Sequence, residues 1–510
     1  MKDRLPALDG LRGFAALSVL LSHSSYSPIL LTSVPFILTA YKIIAVGPNS
    51  VQILFVLSGF LMAFLYPQIP KTRKFIQKRY ARIIPIYATI VFFLWIIDLE
   101  GYVKVWYLQF VTLLILAGLI YVIWNFIKKI PNIGKNIFYT FVGLQIFTLL
   151  IVTVILPHYI YADTILLPVN VKNFITFLSN ITLTTPFARD IPSMSRVFWS
   201  LAPEIYFYLL YPFIVIPLIQ LCKKWGWLIT ILIIFGVTKI LFDLDTEIVS
   251  VAALQTINIA RASGFVAGVT IGTIYQTKGT TWNKISPVIK NPFSSFVALF
   301  LLIAMQWGDS AIRDGQSVTF MNFYYLTTSW IIVFIILNAI FPSSLIYKIF
   351  SKKVAVFLGI ISYSIYLIHP QVIEWASYLT QLLQPILTSQ GIRDLIYVCL
   401  AVLLTVGIAA SLFRLVEFLY FSSKKPVLVT TLAKEDEEVA VNKRYAFIRH
   451  PLLKVSLIIL TFFVLYTCSY SPTQLVARNT ISNSLMPVNE KSLFQSDVTI
   501  PFTAKYNNLL

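Results

Sequence analysis

Apolar runs of about twenty residues, the length a helix needs to cross a bilayer, recur along the whole chain and are separated by short polar loops. The pattern predicts spans near residues 8–27, 48–67, 84–99, 105–127, 137–157, 198–221, 225–242, 256–275, 293–307, 321–341, 354–376, 393–415 and 455–470. The fold class expected is all-α, a polytopic integral membrane helix bundle with about 10–13 transmembrane helices. Four regions follow. A transmembrane domain occupies 1–421, a charged cytoplasmic linker 422–450, an additional span 451–470 and a short extracytoplasmic tail 471–510.

Composition agrees with that pattern. The chain is 58% hydrophobic and only 12% charged, with a mean hydropathy of +0.80. A soluble domain of this size needs far more charge to cover its surface. A net charge of +19 would suit a nucleic-acid binder, but the basic residues are dispersed among short inter-helix loops. That is where orientation determinants belong, so no nucleic-acid partner is expected. With the N-terminus cytoplasmic, the inner loops collect basic groups such as Lys71, Arg73, Lys128, Lys129, Lys223, Lys284, Lys352 and Lys424. The alternation places the C-terminus outside and the protein in the cell membrane as a multi-pass chain. Cys222, Cys399 and Cys468 have no paired spacing, so neither a disulfide framework nor a metal site is expected. The acidic run from Glu435 to Glu438 reads as part of the solvated linker.

Ionised groups within spans call for an account, because each costs about 2.5–3.5 kcal/mol on insertion scales. Arg12 and His23 are 11 positions apart in the first run. On a helix that spacing puts them on one face, separated by about 16 Å along the axis. They could simply anchor the two ends of a span, or they could serve chemistry that reaches across the bilayer. Glu204 follows Pro203 near the outer end of its run and reads either as an interfacial carboxylate paired with Arg196 or as a group lining an irregular polar site. His369 precedes Pro370, again at the outer end of its span. Arg261 sits beside Gly264 and Gly268, glycines that let helices approach closely, and is expected to pair within the bundle. Arg79 and Arg82, three positions apart and beside Lys78, form a cationic patch that could grip a phosphate or merely meet lipid head groups.

Together these segments resemble the membrane acyltransferase-3 family, the polysaccharide and peptidoglycan O-acetyltransferases. Leu8, Asp9, Gly10, Arg12 and Gly13 with His23 are similar to its first helix, and Phe55, Ser58, Gly59 and Phe60 to its second. The stretch from Arg79 through Arg82 to Pro85 resembles its double-arginine segment. Trp199, Ser200, Leu201, Glu204, Phe207 and Tyr208 match a middle helix, and Ser362, Tyr363, Ser364, Tyr366, Leu367 and His369 a late one. Gln52 stands where the family commonly has an acidic residue, Ser50 replaces a usual glycine, and Pro203 is an unusual neighbour for the glutamate. The short tail fits the stand-alone type without an appended esterase-like domain.

The resemblance implies transfer of an acyl group, usually acetyl, from cytoplasmic acyl-CoA to a hydroxyl of an envelope polysaccharide or lipid-linked sugar. It implies that His23 acts as a base on the acceptor, with Glu204 and His369 assisting. Arg12, Arg79 and Arg82 would hold the phosphates of acetyl-CoA, the donor substrate. Membrane lipids are the remaining partners expected, and the sequence does not fix an oligomeric state. A transporter or flippase for a lipid-linked sugar, or a non-catalytic scaffold, would share the hydropathy pattern.

Overall fold

The computed structural model describes residues 5–24, 44–69, 71–100, 133–151, 169–185, 193–225, 259–312, 318–383 and 389–414, with isolated positions at 41, 109, 112, 113, 115 and 116. Every regular element among them is helical, and the protein is an all-α, multi-pass membrane bundle. The described residues all fall within one compact unit, Met1–Lys434. In chain order the helices are α1 (Pro6–His23), α2 (Gly47–Leu65), α3 (Thr72–Glu100), α4 (Ile133–Leu150) and α5 (Val169–Ile181). A 3₁₀ turn at Phe198–Ser200 leads into α6 (Leu201–Leu210), a π turn at Tyr211–Val215 and α7 (Ile216–Trp225). Then come α8 (Ile259–Thr277), α9 (Thr280–Lys290), α10 (Pro292–Ile312), α11 (Val318–Ile340) and α12 (Leu345–Phe350). The last described helices are α13 (Lys353–Ile360), α14 (Ser362–Leu382) and α15 (Gln390–Leu412).

Gly47–Leu65, Thr72–Ile97, Phe198–Leu221 and Gly391–Leu412 are each long and apolar enough to cross a membrane alone. Two helix pairs are long and apolar enough when taken together, bent by 83° between α9 and α10 and by 73° between α13 and α14. The spans expected at 225–242 and 455–470, most of 105–127, the 422–450 linker and the tail lie outside the described residues, as does the side chain of Arg261.

Three elements differ from the hydropathy reading. The basic segment after residue 71 is helical and continuous with the third span, so Pro85 lies inside α3 rather than at its start. The span expected at 354–376 is broken between α13 and α14, where the Ser362 hydroxyl donates back to the Gly359 carbonyl at 2.9 Å. Between the spans expected at 137–157 and 198–221 lies α5, with Ser179 and Asn180 in its last turn and Thr182 and Thr184 just after it fully buried. Tyr87, Gln145 and Tyr206 donate to the carbonyls of Asn180, Thr182 and Leu183 and staple that turn between α3, α4 and α6. Leu183 is held there at a φ of 58°, left-handed and strained for a leucine.

Glycine decides how closely the helices approach. A Cβ on Gly268 would overlap the Val56 carbonyl, and one on Gly59 the Phe265 carbonyl, so α2 and α8 pack backbone to backbone. Gly10 and Gly13 do the same for α1 against Phe350, Ala355 and Gly359. Pro6 suits the first helical turn, where its missing N–H costs nothing, and Asp9 complements the positive end of the dipole. Thus α1 sits at the centre, in contact with α2, α11, α12, α13, α14 and α15.

Candidate functional site

At the C-terminal end of α1, His23 meets His369 of α14. Their nitrogens, Nδ1 of His23 and Nε2 of His369, are 2.8 Å apart. The ring centroids are 5.1 Å apart and the planes differ by 8°. Rings lying face to face with nitrogens that close would bring their centroids much nearer. The imidazoles therefore meet edge to edge in one plane, the geometry of an N–H···N hydrogen bond. Its direction follows from a third atom. His369 Nδ1 lies 3.2 Å from the Ile365 carbonyl, one turn earlier on α14. A carbonyl only accepts, so His369 Nδ1 carries the proton and Nε2 the lone pair. His23 Nδ1–H then donates to His369 Nε2, and the lone pair of neutral His23 resides on Nε2. His369 is fully buried, whereas His23 is exposed. Only His23 has access to a substrate.

The 3₁₀ turn and α6 carry Ser200, Glu204 and Tyr208 at four-residue intervals, hence on one face. Ser200 Oγ and Tyr366 Oη are 2.6 Å apart, and the Tyr366 ring sits edge-on to His369 with centroids 5.8 Å apart. One turn inward, Glu204 Oε1 accepts from Ser58 Oγ of α2 at 3.2 Å and from Tyr208 Oη at 2.5 Å. Glu204 Oε2 has no hydrogen-bond partner among the described residues. Next to Tyr208 stand the arginines. Arg12 lies within electrostatic range of Arg82, Asp9, Tyr208 and Glu204, and Arg79 within range of Arg82 and Tyr208. A polar seam therefore runs between two ends, the histidine pair at one and the arginines at the other, about 12 Å along α6 for the eight residues from Ser200 to Tyr208.

The six residues singled out from sequence fall into two groups. His23 and His369 are in direct contact, and Arg12, Arg79, Arg82 and Glu204 share the inner part of the seam. Glu204 is half-buried, and its hydrogen bonds run to Ser58 and Tyr208 rather than to a histidine. Arg196, read as its potential partner, is in electrostatic range of His369 and Glu374 instead. Sequence reasoning gave no role to Ser58, Ser200, Tyr208 or Tyr366. The signal that could have found three of the seam's members was the i, i+4, i+8 spacing of Ser200, Glu204 and Tyr208. Among the described residues no group of three or more His, Cys, Asp and Glu side chains is placed to hold a metal ion.

Comparison with known proteins supplies the class of chemistry. Proteins from Staphylococcus aureus strains COL, N315 and MW2, provisionally named O-acetyltransferases, are each 30% identical over 194 residues. That alignment covers 35% of this chain and 29% of each relative, so the chain matches under a third of their length. No solved structure matches the chain. The profile of the acyltransferase domain matches residues 5–414, a range that contains every member of the seam. The chain belongs to the membrane acyltransferase-3 family.

Proposed function

We propose that the protein is an O-acyltransferase that moves an acyl group, acetyl in the family's usual case, from cytoplasmic acyl-CoA to a hydroxyl of an envelope polysaccharide or lipid-linked sugar outside. The observation that carries this reading is the in-plane His23–His369 pair, which leaves the base lone pair on the exposed histidine. His23 lies on the same face of α1 as Arg12.

In this reading Arg12 and Arg82 meet the donor's phosphates, since guanidinium groups match phosphate oxygens in pairs. The pantetheine arm runs along the seam toward His23. Glu204, anchored through Oε1, presents Oε2 to the substrate within the seam. At the outer end the acceptor oxygen attacks the thioester carbonyl while its proton passes to His23 Nε2. The C–S bond breaks, the acyl group stays on oxygen, and His23 returns the proton to the departing sulfur. His369 takes no part in the bond changes and fixes which nitrogen of His23 is the base.

Release of CoA thiol from acetyl-CoA in native envelope vesicles tests the reading whatever the acceptor is, because the vesicles carry their own glycans. His23→Ala is expected to lower the rate by about 10²–10⁴-fold, the usual contribution of positioned proton transfer. An unchanged rate overturns the assignment. Deletion of the gene should also remove O-acetyl signals from the envelope glycan by NMR. Unchanged O-acetyl content with a substrate stranded in the inner leaflet would favour transport instead.

A further inference from the structure

Arg79 and Arg82 are three positions apart on α3, yet their surroundings differ sharply. Arg82 is exposed, whereas Arg79 is 8% exposed. The Arg79 guanidinium carbon lies 4.5 Å from the centroid of Tyr66, 5.5 Å from that of Tyr208 and 5.7 Å from that of Phe75. The Tyr66 ring is the nearest of the three to the guanidinium. Arg79 Nε is sealed from solvent and has no hydrogen-bond partner. Tyr211, at the start of the π turn, closes the box from behind. Its ring stacks on Phe75 at 5.8 Å, and its hydroxyl donates to the Tyr66 carbonyl at 3.3 Å.

A phosphate gripped by an arginine needs the edge of the guanidinium fork to be open. At Arg79 aromatic rings surround the cation instead, an arrangement held by the attraction of a cation to the ring faces. One of those rings belongs to Tyr208, whose hydroxyl makes the 2.5 Å bond to Glu204. The π turn immediately after Leu210 belongs to the same device. By adding a residue to the turn it re-aims Tyr211 toward Phe75, and such turns concentrate at functional sites.

We infer that Arg79 is a positioning residue rather than a donor ligand. It holds Tyr208, and through the Tyr208 hydroxyl the Glu204 carboxylate, while Arg82 and Arg12 alone meet the donor's phosphates. The inference rests on the acyl-CoA reading above and divides the labour within the double-arginine segment. Lysine does not replace Arg79, because a compact ammonium lacks the planar face that the rings enclose.

The test is the rate of CoA thiol release as a function of acetyl-CoA concentration, with wild type and variants in native vesicles. Arg82→Gln is expected to raise the apparent KM for acetyl-CoA about tenfold, in line with loss of a charged hydrogen bond, and to leave kcat within about twofold. Arg79→Gln is expected to do the reverse, lowering kcat about tenfold with KM unchanged. Tyr208→Phe should lower kcat similarly, and the double variant should lose no more than either single one, because both act through one contact. A rise in KM for Arg79→Gln that matches Arg82→Gln overturns the inference, and so does an unchanged kcat or an additive double variant. If Arg79→Gln cannot be extracted as a folded protein, Tyr66→Leu removes the ring nearest the guanidinium. A fall in kcat then supports the inference, and a rise in KM overturns it. If neither His23→Ala nor Arg82→Gln alters thiol release, the acyl-CoA reading fails and takes this inference with it.

Discussion

A single carbonyl sets which nitrogens of the histidine pair carry protons. Ile365 accepts from His369 Nδ1, which turns His369 into an acceptor, which in turn fixes the proton on His23 Nδ1. His369→Ala should therefore slow thiol release by about 10–100-fold, the value of one hydrogen bond to a histidine that becomes charged during the reaction. His369→Gln, whose side-chain carbonyl still accepts from His23 Nδ1–H, should retain more activity than His369→Ala when the two rates are compared. Equal losses would mean that His369 does more than orient its neighbour. At this scale the sequence was informative about identity and silent about partnership. Arg12 and His23 announced themselves by being polar in an apolar run. Nothing in the spacing of His23 and His369, 346 residues apart, predicted that they touch.

Small residues and helix breaks shape the elements that carry these groups. The seam depends on α1 and α2 lying close to their neighbours, and glycine supplies that proximity at Gly13, Gly59 and Gly268. Gly268→Val would drive a side chain into the Val56 carbonyl and should destabilise the bundle by about 1–3 kcal/mol, read as a lowered Tm in detergent. An unchanged Tm would show that α2 and α8 separate at no cost. Periodicity and hydropathy made α1, α2, α8, α11 and α15 legible, because each is a long apolar stretch with few interruptions. The break between α13 and α14 was hidden because both halves are apolar, and mean hydropathy carries no information about direction. The burial of the stretch Asn180–Thr184 was hidden for the opposite reason. Its residues are polar, and their burial rests on hydrogen bonds from Tyr87, Gln145 and Tyr206 on helices distant in sequence.

Over the whole molecule the arrangement is an axis with unlike ends, an arginine cluster and a histidine pair, joined by the face of α6 that bears Ser200, Glu204 and Tyr208. Arg12 lies nearer the N-terminus of α1 and His23 at its other end. The separation of the two ends, about 16 Å along α1, has an electrical consequence. If the thiolate left at the arginine end, each turnover would release a proton outside and consume one inside, and so would move charge against the membrane potential. In the reaction proposed above the sulfur reaches His23, so proton donor and proton acceptor would stand at the same depth and the reaction would be electrically silent. Thiol release by vesicles should then be indifferent to a potential imposed with potassium and valinomycin, at about 2.3 kcal/mol per charge for each 100 mV. A rate that follows the imposed voltage would place the cleavage of the thioester at the other end of the axis.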